Sequence, residues 1–206
     1  MLRLLIATTN PDKLREIRGI LGRLPVEILT LRELAPVPEA EETGATFAEN
    51  ARIKALYYDG CLEAGDAGRP YTVAEDSGLV IDALDGEPGV HSARFVRPDA
   101  PYPERFAEIS RRLDEHPGRA RTARFICAVA VAHGGTVLYE TAGTVEGEIV
   151  IPARGSGGFG YDPIFFYPPY GCTLGEVTEE AKLRVAHRGE AFRRLAIWLK
   201  SNEGRM

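Results

Sequence analysis

Apolar runs alternate along the chain with segments whose apolar residues recur at helical spacing, and that alternation predicts an α/β protein. Residues 2–7, "LRLLIA", form a nearly unbroken apolar run that reads as a buried strand. The polar turn Thr8-Thr9-Asn10 follows, and Pro11 opens a helix. Proline suits the first helical position, and Asn10 stands where its side chain can cap the free N–H groups. Leu14, Ile17 and Leu21 give that helix one apolar stripe. Thr46-Phe47-Ala48-Glu49 has capping-box spacing and starts a second helix. A third carries Phe106, Ile109 and Leu113 on one face. "ARFICAVAVA" and "TVLYETAGTV", separated by His133-Gly134-Gly135, predict a β-hairpin. Two helical stretches close the chain, and Phe192, Leu195, Ala196 and Leu199 share a face of the last.

Between these elements, residues 35–45, "APVPEAEETGA", predict an acidic loop, and residues 86–103 another loop. "GSGGFGYDP" predicts a glycine-dense turn before the apolar "IFFY". Helices mixed with crossover and hairpin strands imply an α/β fold with a mixed sheet flanked by helices, in one domain over residues 1–206. The stretch "VAEDSGLVID", residues 73–82, reads as two apolar flanks around a four-residue break. Asp-Ser-Gly is good turn chemistry. That explains the glycine but not why Glu75 stands beside Asp76, since adjacent like charges repel and are costly to desolvate.

Composition narrows the function classes. The 206 residues are 44% hydrophobic and 27% charged, ordinary for a soluble globular protein. No apolar run approaches the length needed to span a bilayer, so no membrane partner is expected. The first apolar stretch is too short for a signal peptide. Cys61, Cys127 and Cys172 are far apart, odd in number and without metal-site spacing, which suits a reducing cytoplasm. Cys127 reads as a small buried hydrophobe. A net charge of −5 argues against a nucleic-acid polymer as partner and leaves room for a small anionic ligand held by a few local cations.

Four segments carry candidate chemistry. The turn from Thr8 to Lys13 joins a strand to a helix N-terminus, where unpaired N–H groups and the dipole suit phosphate; a plain capped helix with a solvated lysine explains it about as well. Glu41 and Glu42, with Glu75 and Asp76, offer the few carboxylates that magnesium prefers alongside waters and substrate phosphates. A solvated loop and a turn are their bland readings. Residues 155–162, "GSGGFGYD", could let backbone approach a ligand closely while Phe159 or Tyr161 stacks on a base. The same residues would also make an ordinary glycine-rich hairpin. Lys182, Arg184, His187 and Arg188 cluster cations ahead of the final helix, as an anion site or as a solvated junction.

Taken in order, "TTNPDK", "EETGATFAENARIKA", "EDSGLVIDALDGEPGVHSARF" and "GSGGFGYDPIFF…K…AHRGEAF" resemble the inosine triphosphate pyrophosphatase family over nearly the whole chain. The resemblance implies an α/β fold of two lobes around a central substrate cleft, and usually a homodimer. It implies Mg²⁺-dependent hydrolysis of ITP, dITP and XTP to the nucleoside monophosphate and pyrophosphate. Thr8, Thr9, Asn10, Pro11, Asp12 and Lys13 match the family's phosphate-binding turn. Glu41 falls at a metal-binding glutamate, Lys54 at a substrate-binding lysine, Asp76 at the proton acceptor and metal ligand, and Ser77 at a substrate contact. Phe159, Gly160, Tyr161 and Asp162 match the base-holding turn. Lys182, His187 and Arg188 match contacts that read the purine edge and the phosphates. Asp12 stands where many members have glycine, Glu75 where aspartate is frequent, and Ala186 where there is a serine. A related enzyme for pyrimidine or modified nucleotides, and a nucleotide-binding module without turnover, are the competing readings.

Overall fold

A computed structural model describes residues 1–34, 36–62 and 68–202; Ala35, the first residue of the expected acidic loop, lies outside them. Strand β1 (Leu2–Ile6) buries Leu4, Leu5 and Ile6 almost completely. It pairs in parallel with β2 (Val26–Thr30) on one side and β3 (Tyr71–Ile81) on the other. A parallel neighbour on each edge explains why β1 is apolar throughout rather than alternating. Helix α1 (Pro11–Leu21) makes the crossover from β1 to β2, and the Asn10 side chain accepts from the N–H groups of Asp12 and Lys13 at 2.9 and 3.1 Å. Helix α2 (Phe47–Gly60) starts at the expected capping box: Glu49 N–H donates to the Thr46 hydroxyl, and the Glu49 carboxylate accepts from Thr46 N–H.

Helix α3 (Tyr102–Asp114) follows, then β4 (Thr122–His133) and β5 (Thr136–Ile149), joined through Gly134 and Gly135. Both glycines have positive φ, as a tight hairpin connection requires. Strands β6 (Phe165–Tyr167) and β7 (Cys172–Thr173), then helices α4 (Glu179–Val185) and α5 (His187–Asn202), complete the chain. The sheet has seven strands in the order β2-β1-β3-β4-β5-β6-β7. It is parallel at β2-β1-β3 and antiparallel at β5-β6-β7, so the sheet is mixed as expected.

The chain divides into two compact units. The first comprises Met1–Asp76, Cys127–Gly143 and the chain from His187 on; the second comprises Ser77–Ile126 and Thr144–Ala186. In the first, Leu4 and Ile6 of β1, Ile17 and Leu21 of α1, and Phe192 and Leu195 of α5 form one buried cluster. Each fully buried side chain of this size contributes about 1.5–3 kcal/mol. In the second, Leu79, Ile81, Ile109, Phe125, Ile164 and Phe165 form another. Among the described residues, no helix is long and apolar enough to cross a membrane.

Three sequence expectations change. Residues 73–82 hold no break: β3 runs straight through them, with Glu75 and Asp76 only 4% and 5% exposed. Local turn propensity is overridden because both carboxylates find cationic partners inside the first unit. Residues 86–103 are not simply a loop. Gly89–Arg94 forms a 3-10 helix, and the buried Arg105 of α3 donates to the carbonyls of Ser92, Pro98 and Ala100 at 2.8–3.1 Å. A guanidinium with five donors in a fixed fork can satisfy several loop carbonyls at once. Finally, the basic cluster at 182–188 is divided: Lys182 and Arg184 lie on α4 ahead of the last helix, whereas His187 and Arg188 open that helix.

Candidate active site

In the first unit, the Thr8–Asn10 turn closes on itself, with Asn10 N–H donating to the Thr8 hydroxyl at 3.2 Å. One turn into α1, Lys13 Nζ lies 2.7 Å from Glu75 Oε1. The other oxygen of Glu75 meets Arg188 at 3.4 Å and accepts from the Cys127 thiol at 3.2 Å. Arg188 is itself 1% exposed, and its guanidinium donates to the buried Glu16 at 2.7 Å. Burial alone would raise the Glu75 carboxyl, but Arg188, Lys13 and Lys54 outweigh it and hold that group well below the usual carboxylate range. Burial, reinforced by the Glu75 charge, pushes the Cys127 thiol well up. Glu75 is therefore a fixed anion, and Cys127 a neutral donor to it.

The next residue faces a different set, as alternation along a strand requires. Asp76 Oδ1 lies 3.0 Å from Lys54 Nζ, and Asp76 Oδ2 accepts from the side-chain amide of Asn50 at 3.1 Å. Asn50 and Lys54 are four residues apart on α2, so one helix face serves both oxygens of one carboxylate. Lys54 also pairs with Glu42 at 2.6 Å. Burial raises the Asp76 carboxyl and the Glu42 charge adds to the rise; Lys54 offsets only part of it. On Lys54, burial works downward but the charges of Asp76, Glu42 and Glu75 prevail, so the ammonium is held more firmly than usual. Adjacent carboxylates thus take opposite characters, a locked anion at Glu75 and a more basic group at Asp76.

The second unit holds the glycine-dense turn. Asp162 Oδ2 accepts from Phe159 N–H at 2.7 Å and from Lys182 Nζ at 2.6 Å, with Asp162 and Lys182 both 2% exposed. The same ammonium sits 4.3 Å from the centre of the Phe159 ring, a cation–π contact. Gly158 has φ +67, and a Cβ there would sit on the Asp162 carboxylate, so the turn closes around that side chain only with glycine. The Tyr161 hydroxyl donates to Ser92 O at 2.8 Å, and burial pushes its phenol up to about 12. The result is a half-buried aromatic face backed by a buried ion pair.

Comparison with known proteins decides the family, because a sequence profile of the Ham1 family matches residues 4–198. The chain belongs to the Ham1 family. A dITP/XTP pyrophosphatase of Geobacter sulfurreducens is 45% identical to it over 192 residues, 93% of this chain and 94% of that protein. A dITP/XTP pyrophosphatase of Geobacillus kaustophilus is 43% identical over 195 residues, 95% of this chain and 93% of that protein. Among solved structures, a HAM1 protein from Coxiella burnetii matches with a TM-score of 0.87 at 36% identity, over 98% of this chain and 100% of that one. The Staphylococcus aureus Ham1 protein matches with a TM-score of 0.83 at 31% identity, over 97% and 99% of the two chains.

Within this Ham1 chain, the sequence-predicted residues fall into several settings. Lys13 and Lys54 converge on the pair Glu75-Asp76 in the first unit. Thr9, Asn10 and Pro11 are exposed on the turn, and Asp12 forms an exposed pair with Arg15. Phe159, Gly160, Tyr161, Asp162 and Lys182 gather in the second unit, where Ser77 is half-buried on β3. His187 and Arg188 belong to the first unit instead, and Arg188 is an internal residue paired with two glutamates. Glu41 is exposed, while its neighbour Glu42 reaches Lys54. Glu16 is the partner that sequence reading passed over; Glu42 was weighed only as part of an acidic set, and Cys127 only as a small buried hydrophobe. A helical i, i+4 signal does mark Asn50 with Lys54, whereas nothing local ties Glu16 to Arg188, 172 positions away.

Proposed function

We propose that this protein hydrolyses non-standard purine nucleoside triphosphates (ITP, dITP and XTP) to the monophosphate and pyrophosphate, as a Mg²⁺-dependent enzyme. The observation that carries the reading is the pairing of two lysines with two adjacent, differently tuned carboxylates, set beside a strand–turn–helix of phosphate-binding type. It is supported by the dITP/XTP pyrophosphatases to which the chain is similar over more than nine-tenths of its length.

A divalent cation fits the donor set. Glu42 and Asp76 already converge on one cationic group, the Lys54 ammonium, from 2.6 and 3.0 Å. Among the described residues there is no cluster of three or more acidic, histidine or cysteine ligands, which suits an ion that keeps waters and substrate phosphates in its shell. Asp76 would hold it together with a carboxylate of the 41–42 pair, where Glu41 is exposed and Glu42 is turned to Lys54. When bound, magnesium supplies charge neutralisation on the phosphates.

The chain's own groups carry the rest. Lys13 and Lys54 offset the phosphate charge, and the N-terminus of α1 favours anions through its dipole. Asp76, raised by burial, accepts the proton of the attacking water as its oxygen bonds to the α-phosphorus and the bond to the pyrophosphate oxygen breaks. Glu75 stays ionised and holds Lys13 in place. For the base, the turn at Phe159 offers an aromatic face with Lys182 beneath it. A donor aimed at a 6-oxo purine edge is left unpaired by the amino group of adenine, and such mismatches discriminate strongly. A homodimer and a cytoplasmic location belong to the same reading, the latter supported by three free cysteines.

The deciding experiment incubates the protein and Mg²⁺ with a panel of nucleoside triphosphates and identifies the products. IMP with pyrophosphate is expected from ITP, and little turnover from ATP. IDP with phosphate would exclude attack at the α-phosphorus, and binding without products would favour a nucleotide-binding module.

A further inference from the structure

The first unit contains a cavity of about 620 Å³ that the mechanism above leaves unused. It lies against the outer part of α1, the end of β2 and the segment after it, and it touches the turn through Thr8, Thr9 and Pro11. Lys13, Lys54, Glu75 and Asp76 do not line it. Its volume is in the range of small-molecule sites, roughly 300–1,000 Å³.

Three kinds of side chain meet there. Arg15, Arg18 and Arg32 supply guanidinium groups against a single carboxylate, Glu39, in a chain whose overall charge is −5. Arg15 is engaged by Asp12 at 2.6 Å, whereas Arg18 and Arg32 have no ion-pair partner among the described residues. Guanidinium groups are suited to phosphate because their fork matches two oxygens at once. The apolar part of the lining includes Leu14, Val37 and the ring of Tyr58, whose hydroxyl accepts from Ala40 N–H at 3.3 Å. Glu39 offers acceptors of the kind that bind a ribose diol.

We infer that this cavity is a second binding site, for a nucleoside monophosphate. Free phosphate or pyrophosphate would satisfy the arginines but leave the apolar lining without a partner; an apolar ligand would leave the arginines without one. A nucleotide matches both, with the ribose hydroxyls for Glu39. The inference goes beyond the hydrolytic reading, and the two sites share Thr8, Thr9 and Pro11 of the turn.

Adenosine monophosphate is the probe, because the adenine base is the one the hydrolytic site is proposed to reject. Calorimetric titration of the full chain with AMP is expected to show saturable binding. Arg18→Gln combined with Arg32→Gln should weaken it at least ~10-fold, the loss expected for a charged hydrogen bond. Both arginines are exposed, so the variant should keep its melting transition. Val37→Asp, which adds charge to the apolar lining, should weaken AMP as well. Ribose 5-phosphate and pyrophosphate should each bind more weakly than AMP. Equal AMP binding by the wild type and the arginine variant, or pyrophosphate binding as tightly as AMP, would overturn the inference. ITP turnover is measured separately: intact turnover with unchanged AMP binding sinks the second site alone, and lost AMP binding in the variant of a protein without ITP turnover sinks only the hydrolytic reading.

Discussion

Lys54 Nζ stands 3.0 Å from Asp76 Oδ1, with side chains 12% and 7% exposed, and the same ammonium holds Glu42. One cation thus couples a loop, a helix and a strand, and it sits on the carboxylate whose proton affinity is raised. Asp76→Asn keeps the shape and the Asn50 and Lys54 neighbours but removes the charge and the basicity. It should fold normally and lose turnover by at least ~10²-fold, the scale of general-base loss. Steady-state kinetics with ITP, beside a thermal melt, reads both. Near-normal turnover in Asp76→Asn with an inactive Glu75→Gln would move the chemistry to the neighbouring residue.

The two adjacent carboxylates should leave opposite marks on stability against pH. Glu75 is held well below its ordinary value of 4.5, so its contribution is present above that value and fades as pH falls below it. Asp76 is raised above 3.8, so the folded state keeps that proton longer; its contribution is present at low pH and is lost as pH rises through the folded value. Glu75→Gln should therefore be less stable than wild type at about pH 7 and close part of the gap by about pH 4, whereas Asp76→Asn should show no such convergence. Urea unfolding at several pH values checks the sign, and parallel curves for wild type and Glu75→Gln would contradict it.

Arg188 tests whether an internal ion cluster acts as structure. With Glu16, Glu75 and Lys13 it makes two anions and two cations, all but Lys13 nearly sealed from solvent. Removing one partner leaves buried charge uncompensated, a loss of about 3–5 kcal/mol. Arg188→Ala should lower the melting temperature sharply, and adding Glu16→Gln should recover part of the loss, because the second change removes the stranded anion. Additive losses would show that the two side chains do not depend on each other. A small stability loss, with ITP turnover impaired but ATP turnover unchanged, would instead make Arg188 a substrate contact.

How much was legible in the sequence follows from the range of the interactions. The Asn10 and Thr46 caps, the α1 stripe and the hairpin through Gly134-Gly135 are set by neighbours within a few positions, and all appear where expected. Residues 75–78 were misread as a break because the ions that make a strand tolerable there come from α1, α2 and α5. The short β7 has too few residues to show any period. The site was legible as residue types in order, and Lys54 was singled out through the family resemblance. Which of Glu41 and Glu42 turns inward, and the Glu16–Arg188 pairing, depend on tertiary packing that no local pattern carries.

The glycine turn permits a comparison between two positions of nearly equal backbone strain. Gly158 and Gly160 have φ of +67 and +71, so alanine at either pays the left-handed penalty, about 1–2 kcal/mol. Their surroundings differ. A Cβ at Gly160 would meet the Tyr102 hydroxyl and ring edge at 3.6–3.9 Å, ordinary contact distances, whereas one at Gly158 would sit on the Asp162 carboxylate. That carboxylate anchors both Phe159 N–H and Lys182, so displacing it loosens the aromatic face and strands a buried ammonium. Gly160→Ala should therefore show the backbone penalty and a modest rise in KM for ITP. Gly158→Ala should lose more stability by urea unfolding and, if the turn holds the base, should also lose preference for ITP over ATP. Equal stability losses would mean that Asp162 moves aside at little cost. A large loss at Gly158 with unchanged ITP-to-ATP preference would leave the turn a structural closure and place base selection elsewhere in the chain.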